Sequence, residues 1–137
     1  MALLEVFYEG NLSTRCIDKR SGAEIMTDAP IDNDGRGLMF SPTDLLAAAL
    51  GSCVLTLMGI EAQKLQVDLT GTRAFVEKQM VLRPVRRIGK LIVSVRCPQI
   101  YHQEIQTQIE SAGKLCPVHH SLHPEIIQEF DFRWGVS

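Results

Sequence analysis

The chain is organised around one long apolar stretch, which runs from Ser41 to Lys64 and reads SPTDLLAAALGSCVLTLMGIEAQK. Its first residues favour a helix start. Ser41 can cap the helix, Pro42 occupies the first helical position where no N–H is needed, and Asp44 places a negative charge in the first turn. The middle of the stretch carries only one serine and one threonine as polar side chains. A helix that is apolar on every side has to be surrounded by protein or by lipid.

The length of this apolar run favours protein as its surroundings. The 16 residues from Leu45 to Ile60 fall short of the roughly 20 that span a bilayer, and they include two glycines. The pattern therefore predicts a buried central helix and no membrane span. Cys53 lies in the middle of this helix, where a free cysteine by itself would be a small core hydrophobe.

Composition indicates an ordinary globular protein. The 137 residues predict a single domain over 1–137, with 22% charged and 45% hydrophobic residues. A net charge of −2 gives no sign of binding to nucleic acid or to an anionic membrane. The start, MALLEVFYEG, has no basic region of a signal peptide, so we expect a cytoplasmic protein whose four cysteines are reduced. The sequence contains no CxxC spacing, so a zinc ribbon is not supported.

The order of predicted elements indicates an α+β fold with antiparallel sheets. Alternation and turn residues predict strands, a loop and a second helix as follows: strands Leu3–Glu9, Leu12–Ile17 and Ala23–Met26, the loop Thr27–Phe40, then strands Val67–Met80 and Arg86–Arg96, the helix Tyr101–Leu115 and the strand Glu125–Trp134. Gly89 is expected to mark a bulge or a bend. Cys16 and Cys97 are interpreted as packing residues.

A second cysteine stands at a predicted helix boundary. Cys116 is followed directly by Pro117 in the segment CPVHHSL, which predicts a new helical turn with Cys116 at its N-cap. A helix N-terminus favours negative charge, so we expect a lowered thiol pKa there. The nearby His119, His120 and His123 leave open an alternative in which they bind a metal together with Cys116.

Two segments together resemble the OsmC/Ohr family, the osmotically inducible protein C and organic hydroperoxide resistance proteins. SPTDLLAAALGSC, ending at Cys53, resembles the family segment N-P-E-x-L-x-A-A-x-x-A-A-C. LCPVHHSL, which contains Cys116, resembles the family's second-cysteine segment. The separation of 63 positions between the two cysteines, the total length and the element order also fit. The resemblance covers essentially the whole chain.

The resemblance implies a fold and a chemistry. The family fold is an intertwined homodimer in which central apolar helices are enclosed by antiparallel sheets, with active sites at the subunit interface. Its well-studied members are cysteine-based peroxidases that need no metal or other cofactor. Cys53 matches the peroxidatic cysteine, which attacks an organic hydroperoxide. Cys116 matches the resolving cysteine, which forms a disulfide that a dithiol reductant then recycles.

One position departs from the family pattern. The peroxidases carry a glutamate ten positions before the reactive cysteine, where it pairs with an arginine that activates the thiolate; here that position is Thr43, followed by Asp44. Asp44 can take over the role if the helix breaks near Gly51 or if a long arginine spans the gap. Nine helical residues correspond to ~13.5 Å.

The candidate for the activating arginine is Arg36, which lies between two glycines in the predicted Thr27–Phe40 loop. Arg15 and Arg20 are alternatives. If Arg36 has this role, Leu38, Met39 and Phe40 would form part of an apolar substrate wall that favours alkyl hydroperoxides.

Three functions remain open from the sequence. The first is a peroxidase for organic hydroperoxides, with a role in oxidative stress. The second is a dimeric module of the same fold that senses redox state or binds an apolar ligand without efficient turnover. The third is the metal site described above. His119 or His120, which replace a family serine, could instead polarise the resolving thiol.

Overall fold

The structure is a computed structural model that describes residues 2–137. Three helices, one short 3-10 helix and six strands form two compact units, which divide between Leu46 and Ala47. The α+β class predicted from the sequence is confirmed. The prediction of one domain over the whole chain stays a prediction.

The first unit contains a three-stranded antiparallel sheet. Its strands, β1 (Leu4–Gly10), β2 (Ser13–Asp18) and β3 (Glu24–Asp28), pair in the order β1-β2-β3. The three strands of the predicted meander are confirmed, although β3 continues two residues into the predicted loop. A 3-10 helix over Ile31–Asn33 interrupts the rest of that loop. Asp28 therefore ends a strand, with its side chain buried.

Helix α1 covers Pro42–Lys64, a length of 23 residues. Its start is fixed by a reciprocal pair of hydrogen bonds: the backbone N–H of Asp44 donates to Ser41 Oγ at 3.0 Å, and the N–H of Ser41 donates to Asp44 Oδ2 at 3.0 Å. This capping box satisfies two backbone donors that a bare helix end would leave without partners. The predicted helix start is confirmed. The helix is unbroken at Gly51, so the break considered from the sequence is absent.

Helix α1 buries one side only. Its buried residues recur every three or four positions, as expected for a single helical face: Ala47, Leu50, Gly51, Val54, Met58 and Ala62. Between residues 2 and 137 this is the one helix long and apolar enough to cross a membrane by length and composition, and 33% of its most apolar window is buried. A single chain leaves the other side of the helix uncovered, since Ile60 there is 45% exposed, so the fully enclosed helix, which the resemblance ties to a homodimer, stays a prediction.

The second unit contains a mixed three-stranded sheet in the order β4-β5-β6. Strands β4 (Arg73–Val81) and β5 (Arg87–Cys97) pair antiparallel. Gln79 of β4 pairs with Lys90 of β5 and Met80 pairs with Ile88, so Gly89 has no partner in the register. The predicted bulge at Gly89 is thus confirmed. β4 begins six residues later than predicted, because the chain turns at Gln66 and Gly71, both of which have positive φ.

The last strand, β6 (Ile127–Trp134), runs parallel to β5. The expectation of purely antiparallel sheets is wrong for this pair. Helix α2 (Gln103–Gly113) and the short helix α3 (Pro117–Ser121) lie between the two strands in sequence. A connection of this length lets the chain return to the same end of the sheet, which a parallel pair requires.

The core of the second unit lies between α1, α2 and the inner face of the sheet. Its fully buried side chains include Leu50, Met58, Leu91 and Ile109. Two glycines allow the close packing: a Cβ on Gly51 would lie 2.8 Å from Val76 Cγ2, and one on Gly113 would lie 2.9 Å from Met58 Cγ. The middle of α1, which carries Cys53, is therefore held tightly against the sheet.

Candidate functional site

Cys53 and Cys116 come together in the second unit. Cys53 is half-buried on α1 and is also packed against the hydrophobic core, whereas Cys116 is fully buried. The two thiols are near enough for Cys53 to raise the pKa of Cys116, and both cysteines are free. The fold therefore brings the two cysteines that the resemblance pairs near each other, and their peroxidatic and resolving roles stay predictions.

Local sequence explains the position of Cys116. Helix α2 ends at Gly113, and Pro117 begins α3, so Cys116 becomes the N-cap residue of α3 as predicted. Its Sγ atom accepts a hydrogen bond from the backbone N–H of His119 at 3.3 Å. The proline ring stands at a helix position whose N–H would have had no partner.

The pKa of Cys116 is raised, which corrects the expectation of a lowered value. Burial raises the pKa of the Cys116 thiol most, and the neighbouring Cys53 thiol raises it further by hydrogen bonding and charge. The backbone N–H groups of His119 and Val118 oppose this shift. A helix as short as α3 does not outweigh the loss of hydration. Cys116 is therefore protonated at neutral pH and fits a thiol that reacts second.

His119 lies beside the cysteine pair and is held by β6. Its ring Nδ1 is 2.5 Å from Gln128 Oε1, and Gln128 Nε2 donates to the backbone oxygen of His119 at 3.1 Å. The ring also packs against His120 and, edge-on, against Phe130 at a centroid distance of 5.0 Å. Sequence reasoning singled out His119 but missed Gln128, which nothing in a strand pattern distinguishes.

The metal alternative finds no support in the geometry. Over residues 2–137, no group of three or more His, Cys, Asp or Glu side chains is placed to hold a metal ion. His123 Nδ1 accepts a hydrogen bond from the backbone N–H of Glu125 at 3.0 Å instead. His119 is engaged by Gln128, as described above.

In the first unit, Arg36 is held by a buried carboxylate. Asp28 is 2% exposed and accepts hydrogen bonds from Ser13 Oγ, from Arg36 Nη2 at 3.2 Å and from the backbone N–H of Leu38 at 3.2 Å. Arg36 Nη2 also donates to Ser13 Oγ at 2.9 Å. The hydrogen bond from Ser13, followed by those from Arg36 and Leu38, lowers the pKa of Asp28 against the effect of burial, so this carboxylate is ionised at neutral pH.

The alternative arginines have other partners. Arg15 forms ion pairs with Glu9 at 2.7 Å and Glu24 at 2.8 Å, and Arg20 pairs with Asp18 at 3.2 Å. These pairs lie on the exposed surface of the meander. Of the three candidate arginines, Arg36 is therefore the one that is anchored to a buried acid. Asp28 was missed from the sequence, because an aspartate in a loop rich in turn residues usually caps a turn.

Two of the three residues predicted to form an apolar substrate wall line a cleft, and the wall itself stays a prediction. Leu38 and Met39 line a cleft of about 460 Å³ within the first unit, together with Arg36, Asp28 and Met26. Phe40 is not among the lining residues and is 57% exposed. This cleft combines an anchored positive charge with apolar side chains.

Asp44 has a structural role in the helix cap. In the unbroken helix α1 its nine-residue separation from Cys53 corresponds to ~13.5 Å along the axis. Arg36, Asp44 and the segment Leu38–Phe40 belong to the first unit, whereas Cys53 and Cys116 belong to the second. The roles assigned to the first group toward Cys53 stay predictions.

The protein has an α+β fold in which two reduced cysteines, Cys53 and Cys116, lie near each other. The sequence matches the family described as OsmC-like protein over residues 34–130. The chain belongs to this OsmC-like family. No curated protein sequence matches the chain.

Solved structures support the same assignment. A protein from Psychrobacter arcticus 273-4, provisionally described as an osmotic stress induced and detoxification response protein, is 41% identical, with a TM-score of 0.92 and coverage of 97% of this chain and 96% of that one. Two others share the fold at lower identity.

The first is an organic hydroperoxide resistance protein OsmC of Legionella pneumophila, also described as a predicted redox protein. It is 13% identical, with a TM-score of 0.76 and 96% coverage of both chains. The second is an organic hydroperoxide resistance protein of Elizabethkingia anophelis, which is 14% identical, with a TM-score of 0.73 and the same coverage.

Proposed function

We propose that the protein is a cysteine-based peroxidase that reduces organic hydroperoxides. The observation that carries the proposal is that the half-buried Cys53 thiol lies near enough to the buried Cys116 thiol to raise its pKa. Membership of the OsmC-like family, some of whose structural relatives are described as organic hydroperoxide resistance proteins, supports it. In this proposal the protein works in the cytoplasm, where dithiol reductants are present.

The chemistry needs only the two thiols and an external dithiol. The Cys53 thiolate attacks the hydroperoxide, an S–O bond forms, the O–O bond breaks, and the alkoxide leaves and takes up a proton to give an alcohol. Cys116 then attacks the sulfur of the Cys53 sulfenic acid, so that the S–S bond forms and the S–O bond breaks. The departing hydroxide takes the proton released by Cys116 and becomes water.

The proximity of the two thiols would let the second step follow the first quickly. A sulfenic acid is reversible only while a thiol captures it before further oxidation. A dithiol then reduces the Cys53–Cys116 disulfide through a mixed disulfide and is itself oxidised to a disulfide. The raised pKa of Cys116 keeps this thiol out of competition with Cys53 for the hydroperoxide.

The test is catalytic turnover. Incubation with excess tert-butyl hydroperoxide and dithiothreitol is expected to consume many equivalents of hydroperoxide per protein chain, measured by residual peroxide. Consumption of about one equivalent, followed by arrest despite fresh dithiol, would favour the redox-sensing alternative. Omission of the dithiol is the control, because one turnover is then the maximum.

We assign the activating role to Arg36, held in place by Asp28. An arginine close to a thiol favours the thiolate, and Arg36 is anchored to a buried, ionised acid. Arg36→Met is expected to slow alkylation of Cys53 by iodoacetamide at pH 7 by about two- to tenfold. Peptide mapping by mass spectrometry follows the reaction at Cys53.

Arg15→Met is the matched control for this experiment, because Arg15 is paired with surface glutamates. It should leave the alkylation rate of Cys53 unchanged. An unaltered rate in Arg36→Met would move the activating role to another group. With Leu38 and Met39 beside the arginine, the cleft would accept the alkyl part of the substrate.

We also propose that the working form is a homodimer, as the family resemblance implies. The exposed side of α1 carries small or apolar residues, including Ala49 and Ile60. Strands β1 and β3 of the meander expose further large apolar side chains, among them Leu4, Val6 and Ile25. A second copy of the chain would cover surfaces of this kind.

A further inference from the structure

The side chain of Gln128 makes two hydrogen bonds to a single neighbouring residue. Its Nε2 donates to the backbone oxygen of His119 at 3.1 Å, while its Oε1 faces His119 Nδ1 at 2.5 Å. The backbone carbonyl oxygen of His119 can only accept a hydrogen bond, so the Gln128 atom that faces it must be the Nε2 donor. Oε1 must then accept from the ring, which places a proton on His119 Nδ1.

The backbone of the same residue, His119, contacts the resolving cysteine. Its backbone N–H donates to Cys116 Sγ at 3.3 Å. Gln128 lies on β6, which is part of the sheet, and His119 lies on the five-residue helix α3. A helix this short is held mainly by its contacts with the rest of the fold. The amide of Gln128 thus ties the residue that contacts Cys116 to the sheet.

We propose that Gln128 is a positioning residue for the resolving thiol: it holds His119 so that the N–H of His119 stays directed at Cys116 Sγ. The inference rests on the proposed roles of Cys53 and Cys116. When Cys116 attacks the sulfenic acid of Cys53, it loses its proton, and negative charge develops on a buried sulfur before the S–S bond forms and hydroxide leaves. A fixed N–H donor stabilises this charge.

Burial makes this donor important. The Cys116 thiol is fully buried, and both burial and the Cys53 thiol disfavour its ionised form. The N–H groups of His119 and Val118 act in the opposite direction. Gln128 fixes the first of these two. The first oxidation, at Cys53, does not use the His119 contact and should not depend on Gln128.

The test replaces Gln128 by methionine, which keeps the size of the side chain and removes both hydrogen bonds. After one equivalent of tert-butyl hydroperoxide, the initial loss of the Cys53 thiol should be unchanged within about twofold. Formation of the Cys53–Cys116 disulfide should slow by about tenfold, the scale of one hydrogen bond to a charged group. Dimedone should trap correspondingly more Cys53 sulfenic acid, measured by intact mass.

Gln106→Met is the matched control. Gln106 is also a buried amide that binds backbone, since its Oε1 accepts from the N–H of Tyr101 at 3.0 Å, but it lies on α2. It should leave disulfide formation unchanged. Equal slowing in both variants would reduce Gln128 to a general structural residue and overturn the proposal. Disulfide formation at the wild-type rate in Gln128→Met would also overturn it.

Two readouts separate this proposal from the peroxidase proposal. The ¹⁵N shifts of the His119 ring should show the Nδ1–H tautomer in the wild-type protein and its loss in Gln128→Met; a wild-type Nε2–H tautomer would contradict the proposed hydrogen bonding. Diamide, a thiol oxidant that accepts two hydrogens, drives the same disulfide without hydroperoxide. If the protein reduces no hydroperoxide, slower disulfide formation with diamide in Gln128→Met alone still supports the role of Gln128.

Discussion

Cys53→Ser is expected to abolish the consumption of organic hydroperoxide, with a loss of at least about a hundredfold in rate. A serine hydroxyl is not ionised near neutral pH and does not attack the O–O bond. The replacement is nearly isosteric, so circular dichroism should show the wild-type fold. Turnover is measured as residual tert-butyl hydroperoxide in the presence of dithiothreitol. A Cys53→Ser protein that turns over at the wild-type rate would refute the assignment of the nucleophile.

Cys116→Ser should separate the two steps. One equivalent of hydroperoxide should still react, because Cys53 is present, but no disulfide should follow. Intact mass is expected to increase by one oxygen atom, the mass of a sulfenic acid, and a second equivalent of hydroperoxide would add another to give a sulfinic acid. Loss of two hydrogens in this variant would identify Cys16 or Cys97 as the resolving thiol. Cys16→Ser serves as the matched control and should behave as the wild type.

Ile60→Glu is expected to convert a dimer into a monomer. Sedimentation of the wild-type protein at micromolar concentration should give about twice the chain mass of 15.3 kDa. Ile60 is 45% exposed on the side of α1 that the chain itself leaves uncovered, and a glutamate buried at an interface without a partner costs several kcal/mol. The monomer peak should therefore dominate in the variant.

The matched control is Leu82→Glu, which introduces the same charge at a side chain that is 68% exposed between β4 and β5. It should remain dimeric. A wild-type protein that sediments as a stable monomer would contradict the homodimer. An Ile60→Glu protein that stays dimeric would place the interface on another surface, with the exposed meander strands as the next candidate.

The parts of the fold that could be predicted are those set by local sequence. Ser41, Pro42 and Asp44 form the cap of α1 because each has the backbone or side-chain property that its position needs. Gly89 marks the bulge in β5. The expectation that Cys53 and Cys116 lie near each other came from the family resemblance, since no local pattern relates residues 63 positions apart.

The parts that could not be predicted depend on tertiary contacts. The direction of β6 is set by how the α2–α3 connection crosses the sheet, and strand periodicity is the same in either direction. Asp28 and Gln128 are polar residues on strands. Asp28 binds Arg36, 8 residues away in sequence, and Gln128 binds His119, 9 residues away, so their roles are visible only in the folded chain. The raised pKa of Cys116 likewise follows from burial.

The capping box at the start of α1 has a consequence for how this chain can vary. The carboxylate of Asp44 serves the helix, whereas the carboxylate that holds Arg36 comes from Asp28 at the end of β3. Helix initiation and arginine anchoring are therefore assigned to separate acids on separate elements. Replacing Asp44 would therefore remove the acceptor for the Ser41 N–H while the Asp28 carboxylate still pairs with Arg36, so the cap of α1 and the position of Arg36 can be altered by separate single substitutions.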